Sequence, residues 1–134
     1  GKEITSSQIW EIFETNYLKP KNNFSYIKHS STSDGDLHSL ELEMYMDSSA
    51  IKVKGTGNGP IDSFINGLSD QLGFSIKVAD YHQTAISSGS DAKAAAYIEL
   101  EKDGKTFWGV GIHPNTTRAS FDSIIVGLSK LLTN

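Results

Sequence analysis

Two eleven-residue stretches of this chain are nearly the same. Asp62-Ser63-Phe64-Ile65-Asn66-Gly67-Leu68-Ser69-Asp70-Gln71-Leu72 and Asp122-Ser123-Ile124-Ile125-Val126-Gly127-Leu128-Ser129-Lys130-Leu131-Leu132 agree at seven of eleven positions, 60 residues apart. Apolar residues recur at helical spacing in both: Ile61, Phe64, Ile65, Leu68 and Leu72, then Phe121, Ile124, Ile125, Leu128, Leu131 and Leu132. Alternating segments precede each helix, and a Gly-x-Gly stands before each. Strands are expected over 24–31, 37–46 and 49–56, where Leu40, Leu42, Met44 and Met46 alternate with Glu41, Glu43 and Tyr45. In the second half Phe74, Ile76 and Val78 alternate, a strand runs from Ala92 to about Lys102, and Asp103-Gly104 signals a hairpin into Lys105–Ile112. Pro60 suits a first helical turn, and Gly73 a helix stop.

The order βββα therefore occurs twice. Two such units, each with one apolar sheet face and one apolar helix stripe, bury those faces together. The expected fold is α+β: two pseudo-twofold-related βββα units, each an antiparallel three-stranded sheet packed on helices. The units are expected over about 21–73 and 74–134. A short linker helix over 1–20 precedes them. Thr5 and Gln8 have capping-box spacing there, and Ile9, Trp10, Ile12, Phe13 and Tyr17 form a stripe ended by Lys19-Pro20. Gly1 stands in place of a starting Met, as expected of a piece of a longer protein.

Composition excludes several chemistries. The 134 residues contain no cysteine, which removes disulfide scaffolds, thiolate metal sites and cysteine nucleophiles. A net charge of −4 argues against nucleic acid as partner. No apolar run approaches the roughly 18 residues of a membrane span. His29, His38, His82 and His113 lack metal-ligand spacing, so no metal site is expected. No G-x-S-x-G elbow places a serine nucleophile, and no catalytic residue is assigned. Glu41/Glu43 and Glu99/Glu101 read as solvent-facing strand positions.

The candidate site is the glycine-rich turn Gly55-Thr56-Gly57-Asn58-Gly59-Pro60. It fits neither a dinucleotide fingerprint nor a P-loop. Two readings remain: a small anion such as a carboxylate held by backbone N–H groups, or a tight strand-to-helix turn without ligand. Ala92, Ala94, Ala95 and Ala96 are small for a strand and leave room for a close-packed helix or a small apolar ligand. A molecule with an aliphatic body and a carboxylate head, such as a branched amino acid, would suit both features.

Gly57-Asn58-Gly59-Pro60, Asp80-Tyr81, the run from Ser90 to Glu99, Trp108-Gly109-Val110-Gly111-Ile112 and Ala119-Ser120 resemble the C-terminal regulatory domain of 2-isopropylmalate synthase, over about 24–132. With His113-Pro114, the tryptophan block resembles the longer bacterial and fungal form most. The resemblance implies a domain that binds L-leucine, the pathway's end product, forms a homodimer, and slows an acetyl-CoA condensation with 2-oxoisovalerate. That acyl transfer, with its divalent metal, would belong to a catalytic barrel absent from this chain. No activity and no cofactor are then expected here, and the location would be cytoplasmic. Carried over by motif, the leucine head group meets Asn58 and Gly59 and the chain at Ile112, His113 and Pro114. Its side chain lies among Ile61, Val78, Tyr81, Ala85, Ala92 and Ala94. His82 and Asp62 depart from the family's pattern, in which a tyrosine and a small residue are common. The isoleucine-binding domain of citramalate synthase and a ligand-independent dimerisation module are the alternatives.

Overall fold

A computed structural model describes residues 5, 7–9, 23–87 and 89–133. Strands β1 (Phe24–Asp34), β2 (Leu37–Met46) and β3 (Ser49–Gly57) form one antiparallel sheet in the order β1-β2-β3, followed by helix α1 (Pro60–Leu72). Strands β4 (Lys77–Ala85), β5 (Ala94–Lys102) and β6 (Lys105–His113) form a second sheet in the order β4-β5-β6, followed by helix α2 (Thr116–Thr133). These are the two βββα units expected from the repeat. At the chain's start the Thr5 N–H donates to Gln8 Oε1 at 2.9 Å and the Gln8 N–H to Thr5 Oγ1 at 3.1 Å, so the capping box forms. Of the stripe, Ile9 is described and buried against Ala95, Tyr97 and Val110. Trp10, Ile12, Phe13, Tyr17 and Lys19-Pro20 lie outside the described residues.

The alternation decides which way each strand faces. Leu40, Leu42, Met44 and Val53 point inward and are buried, whereas Glu41 and Glu43 lie on the other face and pair with Lys52 and Lys28. A single core takes residues from both units, with Phe64 and Phe121 meeting edge to face at a centroid distance of 5.5 Å. The Asp103-Gly104 hairpin forms with positive φ at both residues, 54° and 79°, as a type I′ turn needs. Gly73 ends α1 at φ 77°, its N–H donating to the Ser69 carbonyl.

Glycine fixes how closely each helix sits on its sheet. A Cβ on Gly55 would overlap the Ser63 carbonyl oxygen, and one on Gly67 would lie 2.8 Å from the Lys54 carbonyl. The second unit repeats the contact: a Cβ on Gly109 would overlap the Ser123 carbonyl, against the backbone of Gly127. Helix backbone lies on strand backbone in both copies.

Three local readings of the sequence differ from the structure. Gly55 and Gly57 belong to β3 rather than to a turn, because α1 occupies the space above them. The fourth strand starts at Lys77 rather than Phe74. The Ile76 N–H donates to Ser69 Oγ at 3.1 Å, holding this stretch to the end of α1, and pairing with β5 begins at Lys77↔Glu101. The fifth strand starts at Ala94 rather than Ala92, since a 3-10 turn over Gly89–Asp91 intervenes and the Ala92 N–H donates back to the Gly89 carbonyl.

The paired glycine contacts give a direct test. Gly109→Ala should destabilise the fold by about 3 kcal/mol or more, because two backbones must separate. Gly59→Ala, whose Cβ would meet nothing within 4 Å, should change stability little. Urea denaturation of both variants checks the contrast.

Candidate functional site

The residues assigned to a ligand fall into two neighbouring groups. Asn58, Gly59, Ile61, Val78 and Tyr81 line one open cavity of about 610 Å³, together with Pro60, Asp62, Ile65, Asn66, Ile76 and Lys77. That volume is in the range of ~300–1,000 Å³ typical of small-molecule sites. Its apolar wall comes from α1, through Ile61 and Ile65, and from the stretch into β4, through Ile76, Val78 and Tyr81. Its rim carries the Asn58-Gly59 backbone, Asp62, Asn66 and Lys77. The cavity spans the two units, with one wall from each.

Ala85, Ala92, Ala94, Ile112, His113 and Pro114 are not among the residues lining this cavity. Ala85, Ala94 and His113 are side by side across one end of the second sheet, through the pairs Ala85↔Ala94 and Ala94↔His113. Ala94 packs with Ala96 and Ala119 against Tyr81. Tyr81 thereby joins the two groups, and its hydroxyl is fixed 2.7 Å from Ser120 Oγ. Ile112 packs near Ile9 on the sheet's other face. Ala92 and Pro114 are exposed, and the Asn115 N–H donates to His113 Nδ1 at 2.9 Å. The small alanines mainly serve a close-packed helix: Ala119 in the first turns of α2 fills the space above Ala94 and Ala96.

The sequence marked Asp62 only as a departure from the family's pattern, and did not single out Ile65, Asn66, Ile76 and Lys77 as cavity residues. The available signal was the helical period, which sets Ile65 one turn beyond Ile61 and Asn66 one turn beyond Asp62. The Asn58 N–H is engaged: it donates to Asp62 Oδ2 at 2.9 Å. The Gly59 carbonyl accepts the first helical bond, from Ser63 N–H, at 2.9 Å.

The internal repeat shows why this cavity is open. Helix position 61 corresponds to 121, and the pairings of Leu42 and Leu100 make Val78 the counterpart of His29. At the counterpart location Phe121 meets His29 edge-on at 4.9 Å and stacks with Tyr26 at 6.5 Å. The Arg118 guanidinium lies over the Tyr26 ring at 3.9 Å, a cation–π contact. Aromatic rings fill one copy of this helix–strand junction. Ile61 and Val78 leave the other hollow.

The filled copy is also electrostatically complete. Arg118 Nε donates to the buried Asp122 carboxylate at 3.0 Å, one helical turn away. Burial pushes the Asp122 carboxyl above its ordinary value, against the opposing pull of Arg118 and then His113. His29 is held below the ordinary imidazole value by burial first, then by Arg118 and His38. A second groove, of about 450 Å³, is walled largely by hydroxyls and charges, including Ser30, Thr32, Ser39, Lys54 and Asp70.

A family model described as the LeuA allosteric (dimerisation) domain matches residues 3–132. The chain belongs to this family. Several similar curated proteins are 2-isopropylmalate synthases. That of Thermobifida fusca is 37% identical over 130 residues, covering 97% of this chain and 23% of the relative. That of Mycobacterium ulcerans is 35% identical over 133 residues, with the same coverage. That of Corynebacterium glutamicum is 33% identical over 135 residues, covering 98% of this chain and 22% of the relative. The LeuA domain thus spans less than a quarter of the length of these relatives. Among its described residues no helix is long and apolar enough to cross a membrane.

The Asp122 environment of this LeuA domain predicts a pH dependence. A carboxyl whose folded value is raised contributes stability that is full below its unfolded value, about 4, and is lost as pH rises through the folded value. Asp122→Asn should remove that decline while keeping an acceptor for Arg118. Urea midpoints measured between about pH 3.5 and 6 should show a flatter profile for the variant.

Proposed function

We propose that this LeuA domain is the end-product sensor of a 2-isopropylmalate synthase, binding L-leucine in the cavity between α1 and β4. The carrying observation is the cavity itself: an apolar wall of Ile61, Ile65, Ile76 and Val78 beneath a polar rim. An aliphatic amino acid needs both, an apolar slot for its side chain and polar groups for its head. Family membership and the identity of the relatives support the same reading. Past Tyr81 the site would extend to Ala94 and Ala85, to Ala92, and to the main chain at Ile112, His113 and Pro114, since the Ile112 side chain lies on the other face.

Regulation then follows from linkage. Leucine slows the parent synthase only in so far as it binds the inhibited arrangement more tightly, and such couplings amount to about 1–3 kcal/mol. The domain would also carry a homodimer contact, in keeping with the dimerisation that its family description names. The condensation of acetyl-CoA with 2-oxoisovalerate, and the divalent metal serving it, belong to the catalytic barrel of such a synthase in the cytoplasm. This chain's residues sense rather than react.

Titration calorimetry with leucine, isoleucine and valine tests the reading. Leucine should bind most tightly. Tighter binding of isoleucine would assign the domain to a citramalate synthase, and no heat with any of the three at millimolar concentration would leave a dimerisation module alone. Val78→Trp, at a site 39% exposed on the cavity wall, should abolish binding without loss of fold. Unchanged binding in a folded Val78→Trp variant would move the site elsewhere.

A further inference from the structure

The two units treat the same aspartate differently. Asp62 and Asp122 occupy equivalent helix positions, 60 residues apart. In the second unit the Asp122 carboxylate has a cation, the Arg118 guanidinium, at 3.0 Å. In the first unit α1 begins only at Pro60, so the turn that carries Arg118 in α2 has no counterpart. Among the described residues no cation lies within 4 Å of the Asp62 carboxylate, and its Oδ2 accepts only the Asn58 N–H. The missing cation coincides with the open cavity, which Asp62 lines.

Asp62 is also held in place. Its carboxylate lies over Gly57, where a Cβ would come within 2.8 Å of Asp62 Cγ and 3.0 Å of the Ser63 nitrogen. Lacking that Cβ, Gly57 leaves the carboxylate its position at the start of α1. Lys77, the first residue of β4, lines the same cavity from the strand side. One wall thus offers a negative charge and the other a positive one, above an apolar floor.

Resting on the amino-acid reading above, we infer that Asp62 and Lys77 set the orientation of the ligand's head group. The ligand ammonium takes the place that the Arg118 guanidinium fills in the other unit, against Asp62, and the ligand carboxylate turns toward Lys77. A free helix start attracts a carboxylate. Here Asp62 already occupies that position, and a second carboxylate would meet a like charge. The site therefore selects α-amino acids with an aliphatic side chain over the corresponding carboxylic acids.

Calorimetry with three probes on the 134-residue chain tests this: L-leucine, 4-methylpentanoate, which lacks the ammonium, and 3-methylbutylamine, which lacks the carboxylate. Asp62→Asn keeps an acceptor for the Asn58 N–H while removing the charge. It should weaken leucine by about tenfold, the scale of one charge-assisted hydrogen bond in a solvent-accessible site, and leave 4-methylpentanoate unchanged or tighter. Lys77→Met, at an exposed position, should weaken leucine and 4-methylpentanoate and spare 3-methylbutylamine. Equal leucine affinity in Asp62→Asn and the parent chain, or equal losses for leucine and 4-methylpentanoate, overturns the assignment of Asp62 while leaving the leucine sensor intact. If Asp62→Asn fails to fold, loss of the amine in Lys77→Met overturns it instead. No leucine binding to the folded parent chain overturns both.

Discussion

The rest of the structure depends on the contact of helix backbone with strand backbone at Gly55 and Gly109. With no side chain between them, α1 settles directly on β3 and α2 on β6, facing Gly67 and Gly127 across the contact. This close approach fixes where each helix stripe meets its sheet. Leu40, Leu42 and Met44 then lie under α1, and Ile98 and Leu100 under α2, within one shared core. It also explains why the repeat stays readable. Ser63 and Gly67, like Ser123 and Gly127, are positions where helix and strand leave little room for change.

With the frame held constant, the units differ where constraint is weaker. Helix α2 begins at Thr116, four residues earlier in the repeat than α1 does at Pro60, and the added turn carries Arg118 and Ala119. Ala119 closes over Ala94 and Ala96, while Arg118 joins Tyr26 and Asp122. Phe121, Tyr26 and His29 fill the adjoining junction. The shorter α1 leaves the corresponding junction to Ile61, Val78 and Tyr81, and a ligand-sized space remains. One duplicated architecture yields a packed junction and an open cavity, and the difference lies in a few side chains and one helical turn.

Much of this was legible in the letters, for physical reasons. Strand alternation and helical period report burial directly, so β2, β3 and both helices follow from Leu40–Met46, Ile51–Val53 and the repeated eleven residues. Capping at Thr5, the stop at Gly73 and the turn at Asp103-Gly104 are local chemistry, and all three form. What misled was ambiguity in small residues. Gly55 and Gly57 left a ligand cradle or a ligand-free turn open and serve helix packing, and the alanines of β5 left a close-packed helix or a ligand open and receive Ala119. Glycine and alanine announce a close neighbour without saying what it is. Asp62 and Lys77 face the cavity through the meeting of two units, a long-range fact that no local pattern carries.

Strand β4 lies at the edge of its sheet, hydrogen-bonded to β5 on one side, with its pairing interrupted between Val78 and Asp80. A bulged edge strand is among the softest parts of a sheet. Because Val78 and Tyr81 belong to it while Ile61 and Ile65 belong to the other unit's helix, a molecule seated between them works like a wedge of glue. It would tie the yielding margin of one half to the firm helix of the other, turning chemical occupancy into mechanical stiffness at the seam of the duplication.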